Sequence, residues 1–274
     1  MDSHYEYTDS LLQVVRTQSP LVHNITNLVA MHTTANALLA LGASPVMAHA
    51  VEEVAAISGL ASALVLNIGT LSTPWLESMR AALQVATTRS IPVVIDPVGA
   101  GASPFRTRAA LELLEASRGA ILRGNASEIA ALAGSKMITR GVDSIMDAPA
   151  AEAAAVGLAR QYGCTVCVSG ATDLITDGYS RFFVRGGNRL MARVTGMGCT
   201  ASAFCAAFAA ESGRDGVKPD SMGACLAAMM VMSAAGGMAA RVAQGPGSFF
   251  VHFLDLLYTL SVDEIAATVT VEAC

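Results

Sequence analysis

Short runs of apolar, β-branched residues alternate along the chain with longer Ala-rich segments. Apolar runs bounded by Gly, Pro or polar residues are typical of buried strands, and the Ala-rich segments are typical of helices. The predicted strands are residues 45–48, 63–67, 92–96, 120–123, 165–169, 174–176 and 181–184. The predicted helices are residues 28–41, 74–88, 104–116, 126–133, 148–162, 200–210, 219–243 and 249–260.

The alternation of strands and helices predicts the architecture of the chain. Strands that are joined through helices run parallel, and a parallel sheet is covered by helices on both faces. No low-complexity segment, linker or repeat of fixed period divides the sequence. We therefore expect a single α/β domain over residues 1–274, with a mostly parallel central sheet.

Polar residues and glycines follow the predicted strands at the ends where ligands bind. Asn67 and Gly69 stand at the end of one strand, and Asp96 ends the next. Arg123 and Ser169 end two others. Ligands of open α/β sheets lie outside the carboxyl ends of the strands. We therefore expect these residues to line one rim of the sheet.

A Gly-x-Gly turn at residues 196–198 precedes an uninterrupted run of small residues that is predicted to be a helix. Backbone N–H groups at such a helix start form an anion site, and phosphate is the usual anion. Cys199 lies directly in this field, which is expected to favour the thiolate and lower the pKa of the thiol. Gly196, Gly198 and Cys199 together indicate phosphoryl transfer to a small acceptor.

Two carboxylates are candidates for a magnesium site. Asp96 ends a predicted strand, and Glu128 lies in the first turn of a predicted helix. Both could hold Mg²⁺, directly or through water, and Arg123 could reach a nucleotide phosphate. Each carboxylate also has a structural interpretation, because Asp96 could cap the next turn and Glu128 could complete a capping box with Asn125. The sequence leaves both interpretations open.

Composition narrows the classes of function. The net charge is −5, from 17 basic and 22 acidic residues, and a nucleic-acid partner is not expected. The chain begins without an apolar signal segment, so we expect a cytoplasmic protein. The uncharged stretch 221–240 is long enough for a membrane span, but its Gly, Ser and Ala content favours a buried helix, and no membrane association is expected.

Several specific motifs are absent or weak. The chain has no Gly-x-x-x-x-Gly-Lys-Ser/Thr run, and its Gly-x-Gly turn lacks the rest of a dinucleotide fingerprint. The histidines do not share a metal-ligand spacing. Cys164 and Cys167 have CxxC spacing, but their segment has the pattern of a buried strand, which would point the thiols to opposite faces. We expect this pair to be structural and unbridged.

Taken together, these motifs resemble the hydroxyethylthiazole kinases, a family of the ribokinase-like superfamily. The resemblance extends over almost the whole chain, with its segments in the expected order. Each segment is only modestly specific, but nine in register are highly specific. The matching segments are residues 23–27, 35–39, 42–47, 67–71, 96–101, 123–128, 141–143, 194–199 and 245–249.

The resemblance implies a ribokinase-like fold and a kinase for the primary alcohol of 4-methyl-5-(2-hydroxyethyl)thiazole, in thiamine biosynthesis or salvage. ATP is the implied phosphoryl donor, and Mg²⁺ is the implied metal. The resemblance also implies a homotrimer whose active sites lie near the subunit interfaces.

The resemblance assigns residues to the nucleotide and the metal. Arg123 and Ser169 are expected to contact ATP, and Gly196 and Gly198 of the glycine turn are expected to bind its phosphates. Asp96 and Glu128 are expected to hold the magnesium ion.

Other residues are expected on the side of the thiazole alcohol. Met47 and Gly196 resemble residues of the thiazole site, and Asn27 and Gly69 are expected beside them. Cys199 takes the position where most of the superfamily has a catalytic Asp, and Cys is usual there in the thiazole kinases. Cys199 is therefore expected to accept the alcohol proton late in the transfer.

Three other functions remain open at this point. A kinase for another hydroxymethyl heterocycle would differ only in its acceptor. An ATP- or ADP-dependent dehydratase on the same fold would generally keep Asp where this chain has Cys199. A non-catalytic thiazole sensor would not need Asp96, Glu128 and the glycine turn.

Overall fold

The computed structural model describes residues 3–117, 119–134, 148–212 and 220–274. A short 3₁₀ helix spans Arg189–Arg193. The strands are β1 (Leu21–Ile25), β2 (Ser44–Val46), β3 (Ala63–Asn67), β4 (Val93–Asp96), β5 (Ile121–Asn125), β6 (Thr165–Ser169), β7 (Thr172–Thr176), β8 (Arg181–Arg185) and β9 (Thr270–Ala273). The helices are α1 (Ser3–Gln18), α2 (Met31–Leu41), α3 (Val54–Ser58), α4 (Thr73–Arg89), α5 (Pro104–Ala116), α6 (Ala126–Leu132), α7 (Ala148–Tyr162), α8 (Met197–Ser212), α9 (Ser221–Val242), α10 (Pro246–Thr259) and α11 (Val262–Thr268).

The strands of these ranges form a single sheet in the order β2-β1-β3-β4-β5-β6-β7-β8-β9. Strands β2 to β6 pair in parallel, and β6 to β9 pair as antiparallel neighbours. Helices connect the parallel strands, whereas the antiparallel strands β6, β7 and β8 follow one another through short turns. The prediction of an α/β fold with a mostly parallel sheet is confirmed.

Helices cover both faces of the sheet, and the alternation of side chains along each strand supplies a core to each face. In β3, Val65 packs with α1, α2, α8, α9 and α10, whereas Leu64 and Leu66 pack with α4 to α7 on the opposite face. The first core is rich in Ala and Met, and its largest fully buried side chains are Phe204, Phe208, Phe249 and Phe253. Small residues let α8 approach the sheet closely, which brings its first turn to the strand ends.

Most predicted elements agree with the structure, and several have the predicted bounds, including β3, α5, α7 and β6. Helix α8 begins at Met197, earlier than the predicted residue 200, so Cys199 lies in its first turn. The predicted start of α9 at residue 219 and the motif at residues 141–143 lie outside the described residues. The sequence analysis did not predict α1, α3, α11, β1, β9 or the 3₁₀ helix.

Strand β1 was missed because polar residues interrupt its apolar pattern. Asn24 is a polar residue within the strand and is fully buried. His23 is also fully buried, with Nε2 2.8 Å from the Ala48 carbonyl and Nδ1 2.9 Å from Ser58 Oγ. Burial lowers the pKa of His23, so the ring is neutral at physiological pH and ties β1 to the segment after β2.

Helix α9 and the CxxC pair both belong to the core. Helix α9 is long and apolar enough to cross a membrane, but it is almost entirely buried against α1, α8 and α10. Cys164 packs into one core and Cys167 into the other, as the strand interpretation predicted. Both thiols are free, and burial raises the pKa of Cys164 to about 12.

Candidate active site

Helix α8 begins where the carboxyl ends of the central parallel strands meet. Strands β3 and β4 are in register there, with Asn67 opposite Asp96. Hydrogen bonds join the start of α8 to the ends of β4 and β5 and to Asn27, which follows β1. The rim predicted from strand-end residues is therefore a set of contacting side chains.

The glycines of the turn are required by close approaches. Gly196 has φ +84°, and a Cβ there would lie 3.1 Å from Thr33 Cβ. A Cβ on Gly198 would lie 2.9 Å from Arg123 Nη1. The first intrahelical bond after the turn runs from Thr200 N to the Gly196 carbonyl at 2.8 Å. The N–H groups of residues 197–199 precede that bond at the positive end of α8, where an anion would be stabilised.

Asp96 is the buried carboxylate of the site, with 1% of its surface exposed. Its Oδ2 accepts hydrogen bonds from Asn67 Nδ2 at 2.7 Å and from Ser202 Oγ at 2.8 Å. Burial raises the pKa of Asp96 to about 6, Arg123 opposes that rise, and Glu128 adds to it. The ionised form of Asp96 is therefore poorly solvated beside the glycine turn, and a cation there would stabilise it.

Cys199 lies next to this carboxylate and accepts a hydrogen bond from Asn27 Nδ2 at 3.2 Å. The expected lowering of the thiol pKa by the helix start is wrong. Burial, followed by the charge of Asp96, raises the pKa of Cys199 to about 11. The sequence analysis identified the helix field but did not anticipate the desolvation and the neighbouring carboxylate, which outweigh it.

Glu128 forms the capping box that the sequence left open. Its Oε2 accepts from Asn125 N at 2.9 Å, while Asn125 Oδ1 accepts from Glu128 N at 3.0 Å. Its Oε1 accepts from Gly99 N at 2.9 Å, which fixes the loop after Asp96 to the start of α6. The structural interpretation is therefore confirmed. It does not exclude a second role, because each carboxylate oxygen has another lone pair.

Arg123 is buried under the glycine turn, with 7% of its surface exposed. Its Nη1 donates to the Gly198 carbonyl at 2.9 Å, and its Nε is buried without a hydrogen-bond partner among the described residues. The guanidinium faces Asp96 and a second buried carboxylate, Asp173, whose charges favour the cation. Arg123 therefore neutralises acidic groups and supports the turn from below.

The remaining predicted residues lie at different distances from this group. Gly69 is part of it, because its N–H donates to Asn67 Oδ1 at 2.9 Å and a Cβ there would lie 2.7 Å from Asn27. Met47 follows β2 and Ser169 ends β6. These two strands are the outermost ones of the parallel part of the sheet, so the two residues lie on opposite sides of the group. Their contacts do not join them to Cys199.

Three polar residues of the site were missed as functional candidates. Asn67 was noted only as a strand-end residue, although it bonds to both Asp96 and Asn27. Ser202 lies one turn beyond Gly198 in an apolar helix, and nothing in its local sequence indicates the contact with Asp96. Asp173 lies near the start of β7. Its Oδ1 accepts a hydrogen bond from Gly170 N at 2.9 Å, which holds the turn between β6 and β7. The contacts of Asn67 and Ser202 join residues far apart in the chain, whereas that of Asp173 is local.

The described residues contain no group of three or more His, Cys, Asp or Glu side chains that could hold a metal ion alone. Magnesium is usually bound by one or two carboxylates together with waters and substrate phosphates. Asp96 and Glu128 fit that pattern, because they are close enough for one charge to raise the pKa of the other.

Comparison with known proteins gives one consistent family. The model of the hydroxyethylthiazole kinase family matches residues 12–263. A hydroxyethylthiazole kinase of Oleidesulfovibrio alaskensis is 56% identical over 98% of this chain and 99% of that protein. The solved hydroxyethylthiazole kinase of Pyrococcus horikoshii is 41% identical, with a TM-score of 0.88 over 98% of this chain and 99% of that one.

A more distant likeness supports the fold alone. The pyridoxal kinase of Staphylococcus aureus, solved with AMP-PCP and pyridoxal, has a TM-score of 0.64 at 16% identity. The match covers 93% of this chain and 98% of that one. This agrees with the predicted ribokinase-like architecture.

We expect the buried carboxylate of Asp173 to make stability depend on pH. Its folded-state pKa is about 6, above the ordinary value of 3.8. As the pH falls from about 7.5 to about 5, the folded state binds a proton that the unfolded state does not, so the wild type gains stability. Asp173→Asn lacks this gain. The Tm of the variant minus the Tm of the wild type should therefore be more positive at the higher pH than at the lower pH.

Thermal melting at both pH values measures this difference. Asp177→Asn is the matched control, because backbone N–H groups lower the pKa of Asp177 and leave it ionised throughout this range. A Tm difference between Asp173→Asn and the wild type that is the same at both pH values would contradict the prediction.

Proposed function

This chain belongs to the hydroxyethylthiazole kinase family, and we propose which of its residues carry out that family's reaction. The enzyme transfers a phosphoryl group from ATP to the alcohol of hydroxyethyl thiazole in thiamine biosynthesis. This activity replaces the alternatives of another heterocyclic substrate, a dehydratase and a sensor. The observation that carries our assignment is the contact of Cys199 with Asn27 at the start of α8, beside buried Asp96.

The glycine turn binds the transferring phosphoryl group. The backbone N–H groups of Gly198 and Cys199 stabilise its charge, as donors do in a preorganised anion site. Arg123 supports the turn through the Gly198 carbonyl and supplies positive charge beneath it. Arg123 and Ser169 contact the nucleotide. Because phosphoryl transfer needs little covalent chemistry from the protein, positioning and charge account for most of the rate enhancement.

The thiazole alcohol lies beside Cys199. Met47, Gly196, Asn27 and Gly69 line its site, and Asn27 orients the thiol through its side-chain amide. Cys199 accepts the alcohol proton late in the transfer. Because the thiol pKa is about 11, only a small thiolate fraction exists at neutral pH. A carboxylate in the same place would be ionised at neutral pH, so a larger fraction of the enzyme would be ready to accept the proton.

Asp96 and Glu128 hold magnesium together with water and phosphate oxygens. When bound, Mg²⁺ supplies charge neutralisation to the phosphates of ATP. The burial of Asp96 supports this role, because an ionised carboxylate with few exposed atoms gains most from a nearby cation. Glu128 holds the loop after Asp96 in place through Gly99, and it is close enough to Asp96 for its charge to raise the pKa of that carboxylate.

The enzyme is a cytoplasmic homotrimer with active sites close to the subunit interfaces. Leu28 and Val29, which directly follow the site residue Asn27, are 66% and 61% exposed. Leu39 on α2 is 60% exposed. Large apolar side chains exposed next to a site are typical of surfaces that another subunit covers.

We expect sedimentation at micromolar concentration to give about three times the chain mass of 28.1 kDa. Val29→Glu should weaken the assembly, because the charge would have to be desolvated at the interface. The control is Glu52→Gln, which changes the charge of a different exposed side chain. A fully active monomer would contradict both the trimer and the location of the sites.

We expect Asp96→Asn and Glu128→Gln to reduce turnover and to raise the Mg²⁺ concentration required. The cause is the loss of a negative charge from the metal side. Titration of Mg²⁺ in a coupled assay for ADP release measures both effects.

Glu264→Gln is the matched control for the capping role of Glu128. Glu264 completes the same capping box with Ser261 at α11, and Gln at this position also completes such a box, so its substitution should change neither stability by much nor the magnesium requirement. Wild-type rates and magnesium dependence in both site variants would leave Glu128 with its capping role alone.

We expect Cys199→Ala to lower kcat with little change in ATP affinity, because the phosphate-binding donors are backbone groups. Loss of a general base typically costs about 10²- to 10⁴-fold. Cys199→Asp should equal or exceed the wild type, and the acidic limb of its pH–rate profile should lie at lower pH.

Cys164→Ala is the matched control, since it removes a buried thiol on the opposite face of the sheet. An unimpaired Cys199→Ala enzyme, or an acidic limb that does not move in Cys199→Asp, would mean that the thiol takes no part in proton transfer.

A further inference from the structure

Asn67 is the last residue of β3 and has no role in the reaction as assigned above. It is 1% exposed and lies between the ends of β1 and β4. Its backbone is in register with Asp96, and its side chain reaches across to Asn27 beyond β1. A polar residue buried at this place must satisfy its own hydrogen bonds within the site.

The side-chain amide of Asn67 is held in one orientation. Its Nδ2 donates to Asp96 Oδ2 at 2.7 Å. Its Oδ1 accepts from Asn27 Nδ2 and from Gly69 N, both at 2.9 Å. A flipped amide would turn its NH₂ group toward two donors and its oxygen toward a carboxylate. The neighbours therefore determine which atom faces which side.

Asn27 extends this connection to the thiol. The Nδ2 group that donates to Asn67 also donates to Cys199 Sγ at 3.2 Å. A continuous series of side-chain contacts therefore runs from Cys199 through Asn27 and Asn67 to Asp96. Its two ends are the residues assigned to the alcohol and to the metal.

We propose that Asn67 is a positioning residue for phosphoryl transfer, which holds Asn27 with Cys199 on one side and Asp96 on the other at a fixed separation. The proposal rests on the roles proposed above for Cys199 and Asp96. Transfer needs the alcohol oxygen and the phosphoryl group in a defined approach, and small misplacements are costly. One rigid amide between the two sides supplies that constraint.

The same contacts adjust charge. Hydrogen bonds from Asn67 lower the pKa of both Asp96 and Cys199, against the larger effect of burial. The other charged or hydrogen-bonding groups facing Asp96 are Arg123 on β5, Glu128 on α6 and Ser202 on α8. Without the Asn67 amide, the ionised carboxylate keeps Ser202 as its one side-chain hydrogen-bond donor among the described residues.

Two substitutions distinguish the contact of Asn67 with Asn27 from its contact with Asp96. Asn67→Ala removes both contacts, and we expect kcat to fall roughly 10- to 100-fold with little change in the KM for ATP. The acidic limb of the kcat profile, which reports the Cys199 thiol, should move to higher pH, because the thiol loses the Asn67 hydrogen bond that lowers its pKa. Asn67→Asp keeps the size and the acceptor for Asn27 but replaces the amide donor with a second carboxylate against Asp96, so kcat should fall at least as far as in Asn67→Ala.

A second measurement does not depend on turnover. The pH dependence of iodoacetamide labelling at Cys199, followed by peptide mass spectrometry, reports the apparent pKa of that thiol. We expect this midpoint to rise in Asn67→Ala. The control is Gln84→Glu, the same amide-to-carboxylate change at an exposed position of α4, which should leave both the acidic limb and the labelling midpoint unchanged.

The outcomes distinguish this role from a merely structural one. If kcat falls only in proportion to lost folded protein, while the acidic limb and the labelling midpoint stay in place, the proposal is overturned. If Cys199→Ala, measured in parallel, keeps the wild-type kcat, the assignment of the base fails. A labelling midpoint that moves in Asn67→Ala, together with a fall in kcat beyond the loss of folded protein, then still supports Asn67 as a positioning residue.

Discussion

The buried carboxylate of Asp96 is the constraint on which the site depends. An ionised group with almost no exposed surface is costly unless hydrogen bonds and opposite charge compensate it. Asn67 and Ser202 donate to it, and the Arg123 guanidinium opposes its charge. Because these partners come from β3, α8 and β5, compensating one carboxylate brings together the elements that form the site.

The position of α8 follows from its composition. Its buried face is almost entirely Ala, Ser, Cys and Phe, so the helix packs closely on α9 and on the central strands. This packing places the glycine turn over Arg123, where a side chain on Gly198 would collide with the guanidinium. It also desolvates Cys199. The arrangement that forms the glycine turn is therefore the one that raises the pKa of the thiol to about 11.

The sequence was sufficient for the parts of the structure that depend on local pattern. Strand β3, helix α5, the strand-end rim and the glycine turn follow from short-range spacing, and the capping box of Glu128 was among the alternatives. Strand β1 was missed because the hydrogen-bond partners of His23 are distant in the chain. These partners are Ala48 and Ser58. The thiol pKa was predicted with the wrong sign because burial by tertiary packing is not visible in a local motif.

The central claim is that the alcohol and the phosphoryl group meet between Cys199 and Asp96 at the start of α8. A crystal structure with hydroxyethyl thiazole, Mg²⁺ and a non-hydrolysable ATP analogue tests this most directly. We expect the alcohol oxygen within hydrogen-bond distance of Cys199 Sγ, and the terminal phosphate on the N–H groups of the glycine turn. An alcohol bound away from Cys199, or a phosphate that does not contact the turn, would contradict the account.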